Sequence, residues 1–150
     1  MPVYYGHLIR ILHWRTDQTI TDTLEKMGLT ASQGRVLGYV AHHPEPPCPR
    51  DIENDFHLSH PTVSGLLSRL EQKGFLQLRT DPEDRRCKRI YLLEKGKACQ
   101  TQIHQRIHQH EAQLVQGFTP EEQAQFASLL QRAIENLGNC PSKTKEEPNE

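Results

Sequence analysis

The segment from Ser59 to Gly74 most narrows what this chain can fold into. Ser59 precedes His60, Pro61 and Thr62, a pattern that opens a helix: the serine oxygen takes a free N–H, and the proline lacks one to satisfy. Val63, Leu66, Leu67 and Leu70 follow at helical spacing, and Lys73-Gly74 ends the run. Turned inward at about 100° per residue, they leave an outer face of Pro61, Gly65, Ser68 and Gln72, flanked by Thr62, Ser64 and Arg69. A face so poor in bulk lets a backbone approach a groove closely. Its hydroxyls, amide and guanidinium can bond base edges or phosphates.

The flanking segments supply what such a helix would pack on. Residues 4–27 read as a first helix marked by Leu8, Ile9, Leu12, Ile20 and Leu24, with the stripe interrupted around Thr16 to Thr19 and a stop at Gly28. Thr30 and Gln33 form a capping box for a second helix carrying Val36, Leu37 and Val40, which must end before the prolines of 44–49. Residues 50–56 read as a short third helix with Ile52 and Phe56 one turn apart, and Leu58 lies in the turn before Ser59. After Gly74 the period changes. Phe75, Leu76 and Leu78 and then residues 89–93 read as strands around a polar loop with a turn at Asp81-Pro82.

A long helix is expected from Glu94 to about Gln116, with Ile103, Ile107 and Leu114 on one side. Thr119, Pro120, Glu121 and Glu122 form a second capping box before a final helix striped by Phe126, Leu129, Leu130, Ala133, Ile134 and Leu137. Residues 139–150 are polar and read as a disordered tail. The fold class expected is mainly α with a small β-ribbon: a winged helix-turn-helix with helical dimerisation segments.

A net charge of −1 argues against indiscriminate coating of nucleic acid, but the charge is unevenly placed. Residues 59–91 hold seven basic against four acidic side chains, whereas residues 1–58 hold five against seven. An apolar content of 35% is lean, so some helices are expected to find their cover on a second subunit. No window is apolar enough for a membrane span, and the first ten residues lack a signal-peptide pattern, so a cytoplasmic protein without membrane contact is expected. The cysteines, Cys48, Cys87, Cys99 and Cys140, form no tight pair and read as reduced thiols.

Five stretches taken in order carry a resemblance: Leu29 to Gln33, Leu58 to Ser64, Leu70 to Phe75, Asp81 to Arg86 and Leu92 to Gly96. Together they resemble the landmarks of the MarR family of bacterial regulators over roughly residues 4–137. The resemblance implies a winged helix-turn-helix over 29–93, a dimer built from the helical parts at 1–28 and 94–138, and control by a small effector. The family's wing motif maps onto Asp84 and Arg86, which implies an arginine in the minor groove and an aspartate that orients it or its neighbour. Leu93 stands where the family usually has a threonine, which weakens a cap before Glu94.

The expected DNA-contacting set is Ser59, His60, Thr62, Ser64, Ser68, Arg69, Arg85, Arg86 and Lys88. Two recognition helices about 34 Å apart would read successive major grooves of a palindromic operator. Leu8, Leu12, Phe126, Leu130, Ile134 and Leu137 are the candidates for the shared interface. Tyr5, His13 and Trp14 are the candidates for an effector pocket, with an aromatic acid as the ligand class and repression as the mode.

Weaker signals stay open. His104 and His108 could chelate zinc, but Arg35 stands where the resemblance implies a further ligand, so no metal and no cofactor is expected. Cys48 or Cys87 could sense oxidants if nearby arginines favoured the thiolate. The chain has no nucleophile elbow, phosphate loop or zinc-protease motif, so a regulator is expected and not an enzyme. A winged helix used only for protein contacts is the remaining alternative.

Overall fold

The computed structural model describes residues 2–138; the segment 139–150, read as a tail, lies outside them. In chain order the elements are α1 (Tyr5–Lys26), α2 (Ala31–His42), α3 (Pro49–Phe56), α4 (His60–Gln72), β1 (Leu76–Thr80), β2 (Lys88–Leu92), α5 (Glu94–Leu114) and α6 (Pro120–Gly138). Among the described residues, those up to His110 form one compact unit and those from Glu111 form a second. The architecture is the expected mainly helical winged helix-turn-helix.

α1 runs unbroken through Thr16 to Thr19, where the apolar pattern fails. The hydroxyls of Thr16, Thr19 and Thr23 donate to the carbonyls of Leu12, Arg15 and Thr19, so these side chains are satisfied within the helix. α1 ends in a Schellman turn: Leu29 N–H reaches Leu24 O, Gly28 N–H reaches Glu25 O, and Gly28 takes φ +71°. The expected capping box then opens α2. Gln33 N–H donates to Thr30 Oγ1 at 3.2 Å, and Thr30 N–H donates to Gln33 Oε1 at 3.0 Å.

The core of the first unit joins Val36 and Leu37 of α2, Ile52 of α3, Val63, Leu67 and Leu70 of α4, Leu76 of β1 and Ile90 of β2. Leu24, Phe75 and Cys99 extend it. α4 closes on a second Schellman turn, with Phe75 N–H on Leu70 O, Gly74 N–H on Glu71 O and Gly74 at φ +79°. Lys73 reaches across to the carbonyl of Gly28 at 2.6 Å, tying the end of α4 to the turn between α1 and α2.

β1 and β2 pair antiparallel, with Leu76 opposite Leu92 and Thr80 opposite Lys88. The proline-rich linker after α2 is no passive spacer. Ile90 N–H donates to Pro47 O at 2.8 Å, so the linker lies along β2. No helix among the described residues is long and apolar enough to cross a membrane.

In the second unit, Thr119 Oγ1 accepts from Glu122 N–H and Glu122 accepts from Thr119 N–H, the reciprocal cap expected for α6. Phe118 and Phe126 meet edge to face at 5.8 Å. No residue of α6 is buried, and Leu129, Ile134 and Leu137 are largely exposed.

α5 starts hard against the wing root. Leu93 N–H donates to Phe75 O at 3.0 Å, and a Cβ added at Gly96 would overlap that same carbonyl and sit 3.2 Å from Leu92 Cδ2. Gly96→Ala is therefore expected to destabilise the fold by about 1–3 kcal/mol through overpacking. A urea titration should give a lower midpoint with an unchanged slope.

Candidate nucleic-acid interface

The recognition segment is built from the turn that precedes it. α3 begins at Pro49, and Asp51 accepts the Cys48 N–H at 2.8 Å. That bond is the main reason the Asp51 carboxyl lies below its usual range. α3 ends at His57, a non-glycine residue at φ 53°, and Leu58 N–H bonds back to Glu53 O at 3.1 Å. The chain reverses there and α4 begins. Ser59 Oγ lies 2.9 Å from Thr62 Oγ1 and accepts a 3.4 Å bond from Thr62 N–H, so both hydroxyls are engaged in capping. His60 Nδ1 lies 2.6 Å from Glu53 Oε1.

Beyond the cap, α4 divides as its sequence implies. Val63, Leu66, Leu67 and Leu70 are buried, while Pro61, Thr62, Ser64, Ser68, Arg69 and Gln72 are exposed. A side-chain carbon placed on Gly65 would meet nothing within 4 Å, so that position is open to an incoming surface.

The wing loop is held by carboxylates. Asp81 accepts from Glu83 N–H and pairs with Arg89 Nε at 3.0 Å, while Arg89 also donates to Pro46 O at 3.1 Å. The backbone bond from Glu83, followed by the Arg89 pair, holds the Asp81 carboxyl below its usual range. Asp84 accepts from Arg86 N–H at 3.0 Å and from Cys87 Sγ at 3.5 Å. It thus shapes the backbone that carries Arg86 and does not touch the guanidinium.

Among the described residues, no carboxylate lies within salt-bridge distance of Arg50, Arg69, Arg85, Arg86 or Lys88. Arg89, on β2, is by contrast part of the frame.

Between α3, α4 and the wing lies a cleft of about 780 Å³. It brings together His60, Ser64 and Ser68 of α4 with Arg86 and Lys88 of the wing. Thr62, Arg69 and Arg85 are exposed outside it. Arg50, Glu53, Glu71 and Leu78 also line the cleft and were not singled out from sequence. Arg50 could have been found as the residue that follows the helix-opening proline. Glu53 and Glu71 could not, because their roles depend on partners seven residues away.

The remaining candidates are dispersed. Tyr5 and Trp14 are 72% and 62% exposed, and His13 is exposed. Tyr5 lies in a shallow depression with Tyr4 and Arg10, and Trp14 in a separate one with Ile11 and Arg10, so one chain does not gather Tyr5, His13 and Trp14 into a single cavity. Leu8 is exposed and Leu12 half-buried on α1; Phe126 and Leu130 are half-buried and Ile134 and Leu137 exposed on α6.

The His42 and His104 rings lie 5.1 Å apart, tilted by 41°, and the Arg35 guanidinium lies over Phe56. Among the described residues no group of three or more His, Cys, Asp or Glu side chains could hold a metal ion. Cys48, Cys87 and Cys99 are free thiols. The suggestion that arginines favour a Cys87 thiolate is corrected: the bond to Asp84 pushes that thiol up, and Arg89 opposes it only weakly.

Comparison with known proteins agrees with this geometry. The MarR family model matches residues 27–86. A MepR mutant from a multidrug-resistant S. aureus clinical isolate is 30% identical over 91% of this chain and 99% of its own, with a TM-score of 0.71. S. aureus MepR, described as a transcription regulator of the multidrug efflux pump MepA, is 29% identical over 90% of this chain and 99% of its own, with a TM-score of 0.79. An S. aureus MepR–DNA complex aligns at 0.77, with 29% identity over 89% of this chain and 99% of that one. The chain belongs to the MarR family of winged helix-turn-helix transcriptional regulators.

The wing's order depends on an ionised Asp81. Because its carboxyl is depressed in the folded chain, that contribution is complete above the ordinary carboxylate range and is lost as pH falls through the lowered value. Hydrogen exchange at neutral pH should show Asp81→Ala losing protection across residues 81–87, with the α4 amides unchanged. In the unsubstituted chain the same loss should begin only below about pH 4.

Proposed function

We propose that the chain binds double-stranded DNA as a homodimer on a two-fold symmetric operator and represses transcription until a small effector releases it. The observation that carries this reading is the pairing of an exposed, small-residue face on α4 with wing cations that no protein carboxylate neutralises among the described residues. The DNA complex of the related MepR supports the choice of duplex DNA as the partner.

In this reading Ser64 and Ser68 meet base edges in the major groove, and Arg69 meets a guanine or a phosphate. Ser59 and Thr62 have their hydroxyls engaged in the cap, so they contribute helix N-terminal N–H groups to a phosphate, with His60 beside them. Arg86 enters the minor groove on the turn that Asp84 shapes, while Arg85 and Lys88 approach the backbone. The exposed and half-buried apolar residues of α1 and α6 supply the dimer contacts: Leu8, Leu12, Phe126, Leu130, Ile134 and Leu137. Tyr5 and Trp14, in separate depressions that each include Arg10, and the exposed His13 would form a pocket for an aromatic acid once a second copy of the chain covers them. Such a ligand would release DNA by favouring one spacing of the two recognition helices.

The test is fluorescence anisotropy with a duplex selected from a random-sequence library. Binding should weaken steeply with salt. Arg86→Ala should weaken it by about 1–3 kcal/mol; an unchanged dissociation constant at moderate salt would remove the wing from the interface.

The assembly has its own check. Sedimentation should give twice the 17.3 kDa chain mass, and the double variant Ile134→Asp, Leu137→Asp should sediment as a monomer and lose operator binding. A stable monomer of the unsubstituted chain at micromolar concentration would reject the dimer.

A further inference from the structure

Building on the DNA-binding reading above, we infer that Glu53 is a positioning residue that makes His60 a proton-dependent reader of DNA. Glu53 belongs to α3 and His60 is the first residue of α4, so their meeting is set by the helix-turn-helix itself. The left-handed His57 and the Leu58-to-Glu53 backbone bond fix the turn between them. The Glu53 side chain is only 19% exposed, while that of His60 is 76% exposed at the mouth of the cleft. The carboxylate therefore grips the imidazole from beneath at 2.6 Å and leaves the rest of the ring turned outward.

The chemistry of that grip assigns the proton. An ionised carboxylate only accepts, so Nδ1 is the donor, and Nε2 is left as the outward polar atom with no protein partner among the described residues. With a neutral ring, Nε2 can only accept, for example from the exocyclic amine of adenine or cytosine in the major groove. With a charged ring, Nε2–H donates to a phosphate oxygen or to guanine. A phosphate arriving at the start of α4 would place the imidazole between two anions, and both would favour the charged ring.

The surrounding charges limit this effect without cancelling it. Arg50 from α3 and Arg86 and Lys88 from the wing oppose a charged His60, and Glu71 from α4 favours it; Cys48 and Cys87 complete the rim. In the complex Arg86 lies in the minor groove while Arg50 and Lys88 approach the backbone, so the negative potential of the DNA offsets all three at the ring. Glu53, in direct contact, keeps its influence. DNA binding should therefore take up a proton, and affinity should fall as pH rises through the imidazole range.

The test measures dissociation constants for the library-selected duplex at fixed ionic strength across that range. For the unsubstituted protein we expect affinity to fall on the order of tenfold between about pH 5.5 and pH 8. His60→Gln should bind with a nearly flat profile. Glu53→Gln keeps an oxygen for Nδ1 but removes the charge, so its profile should be shallower than that of the unsubstituted protein. Circular dichroism should show both variants folded like the unsubstituted protein.

A purely structural Glu53 would lower affinity equally at every pH. A slope that persists in His60→Gln, or that is the same in Glu53→Gln as in the unsubstituted protein, overturns the inference and leaves the DNA-binding reading intact. Failure to select any duplex overturns both.

Discussion

The burial of one stripe on α4 underlies everything else in the first unit. Val63, Leu67 and Leu70 sit against Val36, Leu37, Ile52, Leu76 and Ile90, which come from the helices before α4 and the ribbon after it. Each such side chain contributes about 1.5–3 kcal/mol on leaving water. The stripe therefore holds α4 in place without any help from its outer side. That outer side can be small, polar and poorly packed, which is what close approach by another macromolecule requires.

The same separation of duties holds for charge. Lys73, Lys95 and Arg89 are bonded to carbonyls, and Arg89 also to a carboxylate, at points where elements join. They act as struts. Arg50, Arg69, Arg85, Arg86 and Lys88 have no carboxylate partner among the described residues. A net charge of −1 therefore says little about the surface that matters. The functional quantity is how many cations the fold leaves uncommitted, and where they lie.

Much of the fold was legible because its signals are local. Thr30 with Gln33, Ser59 with Thr62 and Thr119 with Glu122 each act over three residues, and the apolar period of α2, α4 and α6 repeats every turn. What was hidden depends on contacts across turns. The threonines of α1 looked like an interruption because composition cannot say that their hydroxyls bond the preceding turn. In the sequence the prolines of 44–49 marked only the end of α2, yet the carbonyls of Pro47 and Pro46 accept from the Ile90 N–H and the Arg89 side chain. The charge around Cys87 suggested activation by arginine, but the direction of the Asp84 bond decides the opposite. The Glu53–His60 contact spans a turn whose left-handed residue is a histidine, not the glycine that would have announced it.

The two-stranded ribbon is also guarded along both borders. On the side of β2, Pro47 takes the Ile90 N–H and Pro46 takes the Arg89 side chain, while the proline nitrogens have nothing to give. On the side of β1, the Leu78 N–H is already taken by the Glu71 carboxylate at 2.8 Å. Neither border invites another strand, so a short finger that stands beside the recognition helix does not become a template for chain-to-chain stacking. Copies of the chain that crowd together gain from such mutual indifference, because their ribbons stay separate and free to work.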